Sequence, residues 1–192
     1  MSVDFYNQNA QAFFDSTKEV DVSSLLTHFT PHLPIGARVL DAGCGSGRDS
    51  KRLLEMGYAV TSFDASTALA AIAEEYIQQP VAVCTFAEFE SDTQFNGVWA
   101  CASLLHVPAS ELLSTFAHLA ALLKTGGVFY CSFKYGSSDT ERDGRYFTNC
   151  DEARLENFIQ EAGLAVCETW QTADLRPGRE EEHWLNAILI KQ

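Results

Sequence analysis

Short apolar segments alternate with longer segments of helical periodicity through the middle of the chain. Five apolar runs are typical of buried strands: residues 37–42, 58–63, 80–86, 95–102 and 128–133. Between them, residues 48–56, 66–77 and 110–123 carry apolar positions at helical spacing, with glycine or capping residues near their ends. This alternation predicts a mostly parallel sheet with helices on both faces.

The two ends of the chain depart from this alternation. Residues 4–32 have apolar positions at helix-like spacing and predict a helical arm. Near the other end, residues 151–162 predict a helix, and residues 164–171 and 183–191 predict two strands joined only by a loop. Successive strands without an intervening helix pair antiparallel. We therefore expect an α/β fold: a Rossmann-like, doubly wound sheet, mostly parallel, with a C-terminal antiparallel hairpin.

Length, charge and cysteine usage narrow the class of protein. The 192 residues suit a single domain, 1–192, with a helical arm at 1–34 and a sheet core at 35–192. The net charge of −13 argues against a nucleic-acid partner, since such proteins usually present a basic face. The chain shows no secretory signal, no apolar run that could span a membrane and no clustered metal ligands. Six cysteines without a CxxC pair predict buried, reduced thiols. We expect a cytoplasmic monomer or homodimer.

A glycine-rich loop follows the first predicted strand. Residues 41–47 read Asp-Ala-Gly-Cys-Gly-Ser-Gly, and Gly43 and Gly45 allow a tight turn and close approach of a ligand. The helix that follows offers its N-terminus to polar ligand groups. A dinucleotide fingerprint would place a third glycine at position 48, where this chain has Arg48. The loop therefore departs from the NAD pattern. The alternative to a ligand-binding loop is a plain turn between a strand and a helix.

Asp64 lies at the predicted end of the second strand, nineteen residues beyond Gly45. A carboxylate in that place can accept hydrogen bonds from both hydroxyls of a ribose, which indicates a nucleoside ligand. The alternatives are a solvated aspartate at a strand end or a cap shared with Ser66. Residues 95–108 add an apolar strand and a loop at the same sheet edge, where open α/β sheets bind ligands.

Together these motifs resemble the class I methyltransferases that depend on S-adenosylmethionine (SAM). Residues 41–47 are similar to the family's motif I, and Asp64 stands where the family places its ribose acid. Residues 95–108 resemble its strand-four block, and residues 122–127 resemble its Leu-Lys-Pro-Gly-Gly turn, with Thr125 in place of proline. The resemblance covers residues 35–191 and is nearest to small-molecule methyltransferases. It implies the class I methyltransferase fold.

Two further features depart from the family pattern. Asn96 replaces the usual aspartate at the start of the strand-four block. The third strand lacks the aspartate that often bonds the adenine amine, so Phe86 or the backbone of Ala87 would contact adenine instead.

The resemblance implies SAM as cofactor and S-adenosylhomocysteine (SAH) as product. Asp41, Gly43 and Gly45 would hold the methionine end, and Asp64 the ribose. The adenine and the opposite wall would be packed by Ala65, Phe86, Ala87, Ala102 and Leu104. Tyr6, in the helical arm, is expected to close the pocket; the alternative is an aromatic residue in the core.

His106 and basic residues late in the chain predict where the methyl acceptor binds. His106 follows strand four and could act as a general base near neutral pH, or serve a structural role. Lys134, Arg145 and Arg176 lie in polar loop segments near the sheet edge and suit a small anionic substrate. The alternative is a solvated loop in which they pair with the acidic residues 180–182.

The sequence therefore predicts an enzyme that moves a methyl group from SAM to a small molecule. The acceptor atom, whether O, N, S or C, stays open. A SAM-binding sensor or partner subunit without catalysis is the main alternative. A NAD-dependent oxidoreductase is disfavoured by Arg48 and by the closing hairpin.

Overall fold

The computed structural model describes residues 2–176, 178–179 and 181–192. The helices in that part of the chain are α1 (Ser2–Thr17), α2 (Ser23–Phe29), α3 (Arg48–Glu55), α4 (Thr67–Ile77), α5 (Ala109–Ala121) and α6 (Glu152–Ile159). The strands are β1 (Arg38–Ala42), β2 (Ala59–Asp64), β3 (Val81–Val83), β4 (Phe95–Ala100), β5 (Leu123–Lys134), β6 (Asp139–Arg142), β7 (Arg145–Thr148), β8 (Leu164–Ala173) and β9 (His183–Lys191).

Seven of these strands form one sheet in the order β3-β2-β1-β4-β5-β9-β8. Strands β1 to β5 are parallel, whereas β9 pairs antiparallel with both β5 and β8. The α/β fold, the mostly parallel sheet and the C-terminal antiparallel hairpin are thus confirmed. The strand order reverses at β1 and β4, and the carboxyl ends of these two strands open the crevice in which such sheets bind ligands.

The centre of the sheet is covered on both faces, which explains why its strands read as continuous apolar runs. Trp99 of β4 and Tyr130 of β5 are fully buried, with stacked rings 3.9 Å apart. Phe29 of α2 packs edge-on against Trp99 at 5.1 Å. The second helix of the arm therefore belongs to the core, while α1 packs mainly against α4, over the carboxyl edge.

The structure corrects several element boundaries. The helical arm is two helices separated by residues 18–22, and α1 is kinked at Asn9. Strand β3 is only three residues long. Strand β5 begins at Leu123, ahead of Gly126 and Gly127, and is irregularly paired with β4 there. Ser66 does cap α4 as expected, accepting a hydrogen bond from the Leu69 amide at 3.2 Å.

The predicted loop after β5 is wrong in one important part, because it contains the hairpin β6–β7. The turn residues Asp143 and Gly144 have φ values of +53° and +71°. Positive φ at both central residues is the requirement of a type I′ turn, and Asp-Gly is a preferred sequence for it. The hairpin brings Arg145 and Phe147 to the carboxyl edge of the sheet.

The cysteines follow the expected pattern only in part. All six are free thiols, and Cys44, Cys131 and Cys150 are buried. Cys167 is exposed on β8, contrary to the prediction of buried thiols. Within the described residues, no helix has the length and apolar character needed to cross a membrane.

Candidate active site

A cavity of about 570 Å³ lies at the carboxyl edge of the parallel strands, beneath α1. It is lined by every predicted site residue except Leu104: Tyr6, Asp41, Gly43, Gly45, Asp64, Ala65, Phe86, Ala87, Ala102, His106, Lys134, Arg145 and Arg176. The topology therefore brings the cofactor motifs and the late basic residues together in one space.

The glycine loop is fixed by its backbone. The amides of Gly43 and Cys44 both donate to the Phe63 carbonyl of β2, at 3.0 and 2.9 Å. Gly43 has a φ of +75°, and a Cβ placed on it would lie 2.7 Å from the Cβ of Ser103. A side chain at this position would therefore strain the backbone and collide with the loop after β4.

Asp64 joins this loop to the start of α4. Its Oδ2 accepts from the Gly45 amide and its Oδ1 from the Ser66 amide, each at 2.8 Å. Burial raises the pKa of Asp64, and the two backbone hydrogen bonds oppose that rise. The link to Ser66 anticipated as an alternative is present, yet Asp64 also lines the cavity, and each oxygen can accept a second hydrogen bond.

Asp41 lies under the loop at 2% exposure. The Ser50 hydroxyl donates to its Oδ2 at 2.5 Å. Burial raises the pKa of Asp41, and the nearby Asp49 carboxylate adds to the effect. Asp49 is itself paired with Arg48 at 2.6 Å. A cation bound beside Asp41 would favour its charged form.

The part of the cavity wall formed by the residues after β4 differs from the prediction in one residue. Leu104 is fully buried in the hydrophobic core, and Leu105 lines the cavity instead. The cause is the 3₁₀ turn over Leu104–His106, which directs successive side chains to different sides. Ala102 has a φ of +51°, and its amide donates to the Ser132 hydroxyl at 2.8 Å.

Tyr6 and His106 meet across the cavity. The Nδ1 of His106 lies 2.8 Å from the Tyr146 carbonyl, which can only accept, so we assign the proton to Nδ1. The Nε2 atom then accepts from the Tyr6 hydroxyl at 2.9 Å. Burial lowers the pKa of His106 to about 4. His106 is therefore less basic than a free histidine, and both of its nitrogens are engaged, so its part as a general base stays a prediction.

Helix α1 covers the cavity through contacts along its length. Besides the Tyr6 hydroxyl, the side-chain oxygen of Asn7 accepts from the Ser66 hydroxyl at 2.8 Å and from the Ala68 amide at 3.2 Å. At the start of the helix, the Tyr146 amide donates to the Ser2 hydroxyl at 3.2 Å. Tyr6 therefore lies in the roof of the cavity, as predicted, and not in the hydrophobic core.

Two of the three basic residues on the acceptor side are already paired. Lys134 contacts Glu182 at 2.6 Å, and Glu182 belongs to the acidic stretch that was considered as their alternative partner. The Arg176 guanidinium donates to both carboxylate oxygens of Asp174. Asp174 also accepts a hydrogen bond from the Trp184 indole at 3.1 Å. Glu180, in the same acidic stretch, lies outside the described residues.

Arg145 has a different environment. Its ion pair with Asp143 is long, at 3.6 Å, and Asp143 is 63% exposed. The guanidinium lies over the rings of Phe5, at 4.3 Å, and Phe147, at 5.3 Å. Its buried Nε atom makes no hydrogen bond. The structured surroundings of Arg145 were missed from the sequence, although Asp143-Gly144 is the signal that could have revealed the hairpin.

The sheet order, the glycine loop under α1 and the acid at the end of β2 define a class I methyltransferase fold. Residues 39–127 match a family model described as a methyltransferase domain. The matched segment covers slightly less than half of the chain, and it marks this part as a methyltransferase domain.

Curated relatives match about half of the chain. A ubiquinone biosynthesis O-methyltransferase of Paramagnetospirillum magneticum is 35% identical over 99 residues, which cover 49% of this chain and 39% of that protein. A putative methyltransferase of Bacillus subtilis is 31% identical over 113 residues, covering 53% of this chain and 46% of that protein. The chain thus spans less than half the length of these relatives.

Solved structures share the fold over almost the whole chain. The Burkholderia thailandensis 1,6-didemethyltoxoflavin-N1-methyltransferase, solved with 1,6-didemethyltoxoflavin and SAH, aligns with a TM-score of 0.77 and 23% identity. The alignment covers all of this chain and 85% of that one. The [4+2]-cyclase SpnF also aligns, with a TM-score of 0.71 and 18% identity over 88% of this chain and 79% of its own. The fold is therefore shared by enzymes with different reactions.

Proposed function

We propose that this chain binds SAM in the cavity under α1 and transfers its methyl group to a small molecule that carries an anionic group. One observation carries the proposal: the cofactor-type residues around Gly43 and Asp64 and the basic residues around Arg145 line a single cavity. Donor and acceptor bound in the same enclosed space can react without leaving it.

The residues present fit SAM. Asp64 is held by two backbone amides and keeps acceptor capacity for the ribose hydroxyls. The loop at Gly43 and Gly45 lets a ligand approach the backbone closely. Asp41 can pair with the amino group of the methionine end. The apolar residues around Phe86 suit the adenine ring.

SAM supplies a methyl group that its positive sulfur already activates, so the protein has mainly to align the acceptor and exclude water. Tyr6 and the rest of α1 cover the cavity. His106 orients Tyr6 by accepting a hydrogen bond from its hydroxyl at Nε2. In this arrangement His106 is a positioning residue for the roof.

The relatives support a small-molecule acceptor. One curated relative is named as an O-methyltransferase of ubiquinone biosynthesis, and one structural neighbour as an N1-methyltransferase with 1,6-didemethyltoxoflavin bound. Both names describe action on small molecules, at different acceptor atoms.

Calorimetry with SAM, SAH and NAD tests the cofactor assignment. We expect SAM and SAH to bind and NAD to bind much more weakly. Asp64→Asn should weaken SAM binding by about tenfold, because a charged acceptor is lost from the ribose site. Glu55→Gln, at an exposed side chain on α3, should leave binding unchanged. Equal affinity for SAM and NAD would contradict the proposal.

Incubation with SAM and pools of small metabolites tests the transfer itself. We expect SAH to form together with a methylated product. Tight SAM binding without SAH formation from any pool would instead favour a cofactor-binding protein without catalysis.

A further inference from the structure

We infer that the acceptor is a planar aromatic carboxylate and that Arg145 is the residue that selects it. This inference rests on the proposed function, because it names the class of molecule that would occupy the acceptor end of the cavity. It follows from the charges, the unsatisfied hydrogen-bonding group and the aromatic walls at that end.

Among the three predicted basic residues, Arg145 is the cation with the weakest carboxylate partner. The contacts of Lys134 and Arg176 are short and involve partly buried or buried carboxylates. The contact of Arg145 is longer, and its partner Asp143 is largely in solvent. Exposed ion pairs contribute little, so an incoming anion competes for Arg145 with little loss.

The hydrogen bonding of Arg145 points to a carboxylate in particular. Its side chain is 16% exposed, and its buried Nε has no acceptor. Because the Nε atom is closed to solvent, a ligand oxygen reaches it only when the Arg145 side chain turns toward the cavity. A buried donor without a partner is unfavourable, so that contact would be stabilising. The Nε and a terminal nitrogen of a guanidinium lie in one plane and can donate side by side to the two oxygens of a carboxylate.

The walls of this end indicate a planar molecule. The rings of Tyr6, His106, Phe147 and Trp184 all line the cavity. Arg145 lies over the ring of Phe147, and the ring of His106 is 5.0 Å from the same ring. Flat aromatic ligands pack well against such side chains, so the carboxylate would be carried on an aromatic ring.

Matched acid and amide probes test this assignment. The SAH-loaded protein is titrated by calorimetry with benzoate and benzamide and with nicotinate and nicotinamide. These pairs have nearly the same shape but differ in charge. We expect the acid of at least one pair to bind about tenfold more tightly than its amide, as a charge-assisted bidentate contact would provide. Arg145→Gln should abolish the preference without changing SAH affinity.

Arg52→Gln is the matched control, since it removes the same charge from an exposed position on α3. It should retain the preference for the acid. Equal binding of acid and amide, no binding by any acid, or a preference that survives Arg145→Gln would overturn the assignment. Tighter binding of phenyl phosphate than of every carboxylate would also overturn it. Failure of SAH itself to bind would count against the proposed function and is measured first.

Discussion

His106 shows how burial changes the chemistry of a single side chain. Its pKa falls to about 4 because the ring is shielded from solvent and lies near the positive charges of Arg145 and Lys134. The sequence places a histidine beside the cavity but gives no sign of whether its nitrogens are free. That depends on the Tyr6 hydroxyl and the Tyr146 carbonyl, which are 100 and 40 residues away along the chain.

The lowered pKa predicts a pH dependence of folding. Between pH values of about 4 and 6.5, the unfolded chain binds a proton at His106 that the folded protein excludes, so stability falls as the pH drops through this window. From pH 7 to pH 5, this residue should lower the free energy of unfolding by about 2 kcal/mol. Urea unfolding at the two pH values measures the change.

His106→Gln should reduce this pH dependence, because glutamine can still bond Tyr6 and the Tyr146 carbonyl but does not titrate. His32→Gln, at an exposed histidine, should behave like the wild type. An unaltered loss of stability in His106→Gln would show that other groups cause it.

The basic residues show a second limit at this scale. Lys134, Arg145 and Arg176 were predicted as a set because they are cationic and come late in the chain. The structure separates them, since Lys134 and Arg176 have close carboxylate partners and Arg145 does not. Residue type indicates that a side chain can bind an anion. Which of these side chains is already paired with a carboxylate of the protein depends on how the loops fold.

At the scale of elements, the predictions succeeded where burial shapes the sequence. Strands such as β4 are buried almost throughout and read as apolar runs. The strand β6 has no buried residue, and its Asp-Thr-Glu-Arg sequence resembles that of a loop. Its turn, Asp143-Gly144, was the remaining signal. The hairpin was missed because its stability comes from the turn and from β7 rather than from a pattern in β6.

Gly144→Ala tests the role of this hairpin. Gly144 has a φ of +71° and open space around it, so an added methyl group would strain the backbone alone, by about 1 kcal/mol. We expect a loss of stability of that size, together with weaker binding of the acid probes and unchanged SAH binding. Thermal unfolding and calorimetry measure the two effects.

Gly57→Ala is the matched control, because Gly57 also has a positive φ and open space but lies at the end of α3. It should lose similar stability and keep the binding of the acids. If both variants weakened acid binding equally, the hairpin would have no specific part in it.

At the scale of the whole molecule, α1 is a cover that packs against α4 and is also bonded to the cavity rim by polar contacts. Tyr6, Asn7 and Ser2 bind it to three different parts of the cavity rim. We expect these contacts to open when a ligand enters beneath the cover. A bound ligand that fills the cavity should favour the closed state, because it binds the folded, covered form.

Hydrogen exchange of backbone amides tests this behaviour. Saturating SAH should slow exchange along α1, while α6, whose residues do not line the cavity, should change little. At a concentration of about a hundred times Kd, SAH should also raise the free energy of unfolding by about 2.7 kcal/mol. Equal protection of α1 and α6 would indicate general stabilisation without closure of the cover.

The reversed strand β9 has a consequence for how the molecule can diversify. Because β9 runs against β5, its first residues meet the end of β5, with Trp184 opposite Lys134, and the preceding loop arrives at the ligand edge. The cavity residues proposed for the cofactor lie within residues 6–106, whereas the basic residues proposed for the acceptor come after residue 133. The segment matched by the methyltransferase family model ends at residue 127, before them. Under the proposed function, we therefore expect mutations in the hairpin and in the loop before β9 to change the acceptor during evolution or engineering, while the residues proposed for the cofactor stay intact.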